Sequence, residues 1–129
     1  MATFKIQLNE LEDTLLNIEE FLKKADKKSK YKIMFICEEL LTNLVRHADF
    51  EGKTPDITLD IEVSDNNTFE IQCKDNSKAF DLLQHKDPDL NADLDDRELG
   101  GLGICLLKKY TKEIEYIYEK GFNILRISL

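Results

Sequence analysis

The segment EELLTNLVRHA carries two side chains whose spacing suits chemistry on a polar ligand. Glu39 and Asn43 are four residues apart, so on a helix they stack on one side. Arg46 falls within roughly 60° of both on a 3.6-residue period. An amide oxygen is a hard ligand of the kind Mg²⁺ prefers. A carboxylate beside it can orient or deprotonate a nucleophile. Taken alone, the stripe also fits an ordinary solvated helix face, and His47, at the border of the apolar arc, reads as a packing residue.

Two further segments hold polar or glycine residues that packing does not require. In CKDNSKAF, Asp75 follows an apolar strand, so its carboxylate can be partly buried and accept a bond from an exocyclic amine such as that of adenine. Asp-Asn-Ser is equally turn chemistry. In ELGGLGICLL, Gly100, Gly101 and Gly103 are three of the five glycines in the chain, so glycine is concentrated where a helix opens. Glycine lets backbone approach a phosphate closely, and a helix N-terminus offers unpaired N–H groups. A tight turn before a helix would use the same residues. The segment lacks the Gly-Lys-Ser/Thr of a Walker loop and the GxGxxG of a dinucleotide fold.

The elements that must position these groups follow from periodicity. Phe4, Ile6 and Leu8 alternate with polar residues, a half-buried strand. Asn9 is placed to cap a helix to about Ala25, with Leu11, Leu15, Ile18, Phe21 and Leu22 inward. The charged run KKADKKSK reads as a solvated connection. A second helix spans about Ser29 to Ala48, with Ile33, Ile36, Cys37, Leu40, Leu41, Leu44 and Ala48 on its apolar face. ITLDIEV and TFEIQCK form a hairpin through SDNN, and KEIEYIY and NILRISL form another through EKGF. Between them, Asp75 to Leu99 is an irregular Asp-rich stretch, and GGLGICLLKKYTKEI reads as a glycine turn opening a third helix. The order β-α-α-β-β-loop-α-β-β implies a two-layer α/β sandwich, with helices on one face of a mostly antiparallel mixed sheet.

The chain has 129 residues, which implies one domain over 1–129. Its net charge of -8 argues against direct nucleic-acid binding, which needs clustered Lys and Arg. Cys37, Cys73 and Cys105 each sit in an apolar run without a CxxC pair, so they read as buried hydrophobes in a reducing compartment rather than zinc ligands. MATFKIQLNE shows no apolar signal segment, and no stretch approaches the roughly 20 apolar residues of a membrane span. A soluble, cytoplasmic chain is expected.

Together and in this order, the three segments resemble the GHKL ATPase superfamily with its Bergerat fold, and within it the bacterial anti-sigma-factor serine kinases. The resemblance runs from FKIQL to the last strand. Glu39 and Asn43 match the ExxxN helix motif, Asp75 and Phe80 match the Asp and aromatic positions of the DxGxPF box, and Gly100, Gly101, Leu102 and Gly103 match the GGLG box. The resemblance implies ATP and Mg²⁺ as cofactors. Asn43 would coordinate Mg²⁺, Asp75 would receive the adenine amine, and Glu39 would be the general base toward a partner serine. The glycine box would cradle phosphates under a lid at about 82–99. The implied partners are a STAS-type antagonist (an anti-anti-sigma protein) and a sigma factor, and the implied assembly is a homodimer. The alternative is an ATP-binding regulatory interaction module with weak or no kinase activity. The chain departs from the pattern at Ser77, where the family has glycine, and at Ala79, where it has proline. A serine there is expected to crowd the adenine pocket or to need an unusual backbone angle. The chain also lacks the helical hairpin with a phospho-accepting His of a complete histidine kinase.

Overall fold

The computed structural model describes residues 1–64, 68–81, 83 and 108–129. The elements are β1 (Ala2–Lys5), α1 (Leu11–Phe21), α2 (Lys27–His47), β2 (Ile57–Val63), β3 (Phe69–Asp75), β4 (Glu113–Glu119) and β5 (Phe122–Ser128). Apart from Leu83, the expected lid at 82–99 lies outside the described residues, as do Gly100, Gly101, Leu102, Gly103 and Cys105. Of the expected third helix, residues 108–110 are helical.

The strands form one five-stranded sheet in the order β1-β2-β3-β5-β4. Each pairing between them is antiparallel. Strand alternation sends Ile57, Leu59 and Ile61 of β2 and Phe69, Ile71 and Cys73 of β3 to one face, where they are buried. The opposite phase is polar and carries Asp60, Glu62, Glu70 and Gln72. Both helices pack on the apolar face: Ile18 of α1, Leu22 just past its end, and Ile33, Ile36, Cys37, Leu40 and Leu41 of α2 join the strand residues in one core. The two-layer α/β expectation is met.

Helix boundaries differ from the periodicity reading at both ends of α1. Glu10, not Asn9, occupies the cap position, and no side chain caps the helix. A backbone bond from Glu10 N–H to Gln7 O (3.0 Å) turns the chain one residue later. Glu12 and Asp13 in the first turn instead complement the helix dipole. At the other end, Lys23 N–H to Glu20 O (3.2 Å) and Ala25 N–H to Leu22 O (3.0 Å) tighten the chain into i→i+3 turns past Phe21. The cause is Asp26, which must be extended (φ -63°, ψ 153°) to cap α2. Its Oδ1 accepts from Ser29 N–H at 2.9 Å. The second half of KKADKKSK is therefore the first turn of α2 rather than loop.

The closing hairpin turns through Lys120 (φ 52°) and Gly121 (φ 83°), with Glu119 paired to Phe122. Positive φ at both central residues is the type I′ turn, whose twist matches a two-residue hairpin; glycine takes the second position without strain.

Candidate functional site

The end of β3 and the middle of α2 are held together by the core and by loop bonds. Cys37 of α2 and Cys73 of β3 are both buried. Burial pushes the Cys37 thiol up to about 12. It pushes Cys73 up too, with the nearby Asp75 and Cys37 adding in that order. These neighbours place α2 over the C-terminal end of β3. Beyond α2, the loop at 48–56 is stitched to the residues after β3. Lys78 N–H donates to Asp49 O at 2.7 Å. The Asn76 side chain donates to Thr54 O (3.0 Å) and accepts from Asp56 N–H (2.8 Å). Backbone polar groups in this irregular stretch thus find partners without a sheet ladder.

Asp75 is the buried centre of this region, 7% exposed at the last position of β3. Its Oδ1 accepts from Ser77 N–H at 3.0 Å, from the Ser77 hydroxyl, and from Asn123 Nδ2 at 3.1 Å. Ser77 is itself 4% exposed. Its side chain folds back onto Asp75, and it is not among the positive-φ residues. The unusual backbone angle expected of this serine is therefore absent, and its hydroxyl is bonded to the carboxylate of Asp75. Phe80 is 55% exposed. Its backbone N–H, at 3.0 Å from Asn123 Oδ1, belongs to the network.

Asn123 is the residue that motif reading missed. It lies opposite Asp75 in the β3–β5 ladder, on the apolar face, and is 6% exposed. Its Nδ2 reaches Asp75 Oδ1, Ser77 Oγ and Ser77 O (each 3.1 Å) and Lys78 O (3.2 Å). Its Oδ1 accepts from Phe80 N–H and from the Tyr116 hydroxyl. A signal was present: in NILRISL the inward phase reads Asn, Leu, Ile, Leu, and an amide in that phase needs buried partners.

On α2, Glu39 is half-buried and Asn43 lies one turn on. Burial raises the pKa of Glu39, the charge of Glu38 raises it further, and Arg46 pulls it down. Arg46 and His47 are exposed in the last turn, so His47 does not pack as expected. Asn43 Nδ2 is buried and has no hydrogen-bond partner. Half a turn about the Cβ–Cγ bond exchanges its oxygen and nitrogen, so the unpaired position can present an oxygen to a ligand. The described residues contain no group of three or more His, Cys, Asp or Glu able to hold a metal ion. Mg²⁺ commonly takes one or two protein oxygens and completes its shell with phosphate and water. One unpaired amide fits that arrangement and not a protein-built cage. A separate groove of about 830 Å³ lies on the polar face of the sheet, lined by Asp60, Glu70, Glu115 and Arg126 among others, away from this site.

Comparison with known proteins places these residues in context. A family model described as a histidine kinase-like ATPase domain matches residues 4–129. The chain is 27% identical over 99 residues to the serine/threonine-protein kinase BtrW of Bordetella bronchiseptica, covering 77% of this chain and 69% of that protein. It is 28% identical over 92 residues to the serine-protein kinase RsbW of Listeria monocytogenes, covering 67% of this chain and 57% of that one. In structure it resembles the histidine kinase domain of the Erythrobacter litoralis EL346 blue-light activated histidine kinase (TM-score 0.58, 16% identity, 100% of this chain and 68% of that one). It also resembles a chain of the SiaB-SiaC complex from Pseudomonas aeruginosa (TM-score 0.66, 14% identity, 100% and 89%). The structural likenesses concern the fold. Among the described residues no helix is long and apolar enough to cross a membrane.

Proposed function

The chain belongs to the histidine kinase-like ATPase domain family, and from that premise we propose that it binds ATP with Mg²⁺ and phosphorylates a serine of a partner protein. The observations that carry this reading are a buried, multiply bonded Asp75 at the end of β3 and an unpaired buried amide at Asn43 on α2, two elements that share one core. Sequence likeness to two serine kinases supports transfer to a protein hydroxyl.

In this reading Asp75 accepts the adenine amine, with Phe80 at the edge of the base. Gly100, Gly101, Leu102 and Gly103, outside the described residues, would be the segment that binds the phosphates. Asn43 would hold Mg²⁺, and the ion when bound would supply neutralisation of phosphate charge. Glu39 takes the proton of the attacking serine hydroxyl as that oxygen bonds to the γ-phosphorus; the bond to the β–γ bridging oxygen breaks and ADP departs. Such transfer depends on positioning and charge stabilisation more than on covalent participation by the protein. The partner class we favour is a STAS-type antagonist, with a sigma factor as the competing ligand of a homodimeric kinase.

Titration calorimetry with ATP, with and without Mg²⁺, tests the first half of the reading. Wild type should bind one ATP per chain in a Mg²⁺-dependent way. Asp75→Asn should keep the fold, because the amide oxygen can take over the donors now on Oδ1. It should lose ATP, because its NH₂ then faces the adenine amine, donor against donor. No heat with wild type at millimolar ATP would overturn the proposal. Binding without transfer to any partner captured from native lysate would make the protein a nucleotide-dependent binding module instead.

A further inference from the structure

We propose that Asn123, oriented by Tyr116, is a positioning residue for base recognition: it occupies one oxygen of Asp75, leaves the other to the base, and so sets a preference for a 6-amino over a 6-oxo purine. The inference rests on the reading of Asp75 as the base acceptor.

The orientation of the Asn123 amide follows from its neighbours. Four acceptors surround Nδ2, namely Asp75 Oδ1, Ser77 O, Ser77 Oγ and Lys78 O. Two donors, Phe80 N–H and the Tyr116 hydroxyl, point at Oδ1. A flipped amide would set acceptor against acceptor at Asp75 Oδ1, Ser77 O and Lys78 O, and donor against donor at Phe80 N–H. Burial raises the Tyr116 pKa, with the charge of Asp81 and then Asp75 adding to it and the Phe80 backbone N–H opposing, so the phenol keeps the proton it donates.

The consequence falls on Asp75. Its Oδ1 already meets Ser77 N–H, the Ser77 hydroxyl and Asn123. Its Oδ2 accepts no bond from the described residues, yet is not among the buried atoms lacking a partner, so it reaches accessible space. The carboxylate is thus held at one oxygen and open at the other. A carboxylate oxygen only accepts, so it rewards an amine and repels a carbonyl at the same position on a purine. Rejection of a ligand that leaves a buried polar group unpaired is steep, provided the group cannot swing away. Asn123 limits that freedom: beyond the β3–β5 ladder that ends at Asp75, its side chain ties β5 to Ser77, Lys78 and Phe80.

The test compares ATP with ITP, which differ in the 6-amino and 6-oxo groups, by titration calorimetry. Wild type should prefer ATP. Tyr116→Phe deletes one hydroxyl at a half-buried position; it should weaken ATP about 3- to 10-fold, the scale of one neutral hydrogen bond, and leave ITP nearly unchanged. Asn123→Asp sets a second carboxylate against Asp75 and removes the donor; it should narrow the ATP-to-ITP ratio further. Asn123→Ser, which keeps a short donor, should recover part of the ratio. Equal weakening of both nucleotides by Tyr116→Phe would show a merely structural role and overturn the inference, as would unchanged affinities. Failure of wild type to bind either nucleotide would instead overturn the reading of Asp75, and the inference with it. Should Asn123→Asp fail to fold, the Tyr116→Phe comparison decides by itself.

Discussion

Glu39 lies on the helix and Asp75 at a strand end, and their surroundings suit them to different tasks. Asp75 has three donors on one oxygen, which holds it as a fixed acceptor. Glu39 is half-buried beside Glu38, and its pKa is raised, which brings a general base nearer to the operating pH. Glu39→Gln should leave ATP binding intact and reduce serine phosphorylation by roughly 10²–10⁴-fold, the scale of a lost base. The same substitution should raise the melting temperature at neutral pH. A carboxyl whose folded pKa is raised destabilises the fold once pH exceeds its unfolded value of about 4.5. The gain should therefore vanish in acid below that value, where wild-type Glu39 is protonated in both states. Paired melts at neutral and acid pH, with a transfer assay, check both halves. Full transfer activity in the variant would remove Glu39 as the base.

At the scale of elements, the two helices begin differently and should respond differently. α1 starts without a side-chain cap, whereas α2 depends on Asp26 Oδ1 accepting from Ser29 N–H. Bonds from the Ser29 side chain and backbone lower the Asp26 pKa. Asp26→Ala should lower the melting temperature at neutral pH, because an orphan N–H at the start of α2 loses its partner. The Asp26 contribution is present above the unfolded pKa of about 3.8 and is lost as pH falls through the lower folded value. Wild type and variant should thus converge in strong acid, and ATP affinity at neutral pH should not change. Both hairpins were legible in the sequence because strand period and turn chemistry agree there. The α1 boundaries were not, because Asn9 carries a good cap residue's chemistry but the Gln7–Glu10 turn pre-empts it. Nor was the charged run, whose role turned on the single side chain of Asp26.

For the whole molecule, α2 is the joint between the core and the site. Ile36 is fully buried where α2 meets the sheet, one residue before Cys37. Ile36→Ala should cost about 2–5 kcal/mol in chemical unfolding, the range for an aliphatic truncation that leaves a cavity. Cys37 and Cys73 supply an internal readout. Both thiols are buried with raised pKa values, so a thiol reagent should reach them only when the fold opens. Their labelling in Ile36→Ala should accelerate in step with the loss of stability. Rapid labelling in wild type would show that the α2–sheet interface opens locally.

Local information sufficed for the sequence to determine the helices' apolar faces, the two hairpins and the α/β layering, because periods of 3.6 and 2 are written in neighbouring residues. It also marked Glu39, Asn43 and Asp75, since polar groups at the margin of apolar patterns stand out without a structure. Tertiary structure alone decided what surrounds them. Asn123 is 48 residues from Asp75 and reaches it only because β5 lies beside β3 with Asn123 in register. Ser77 is a departure from the motif in sequence, and only three dimensions show its hydroxyl directed at Asp75, because a side chain's partners depend on where it points. Hydrogen bonds between distant residues are set by sheet order and register, and these come from the packing of the whole chain rather than from any window of it.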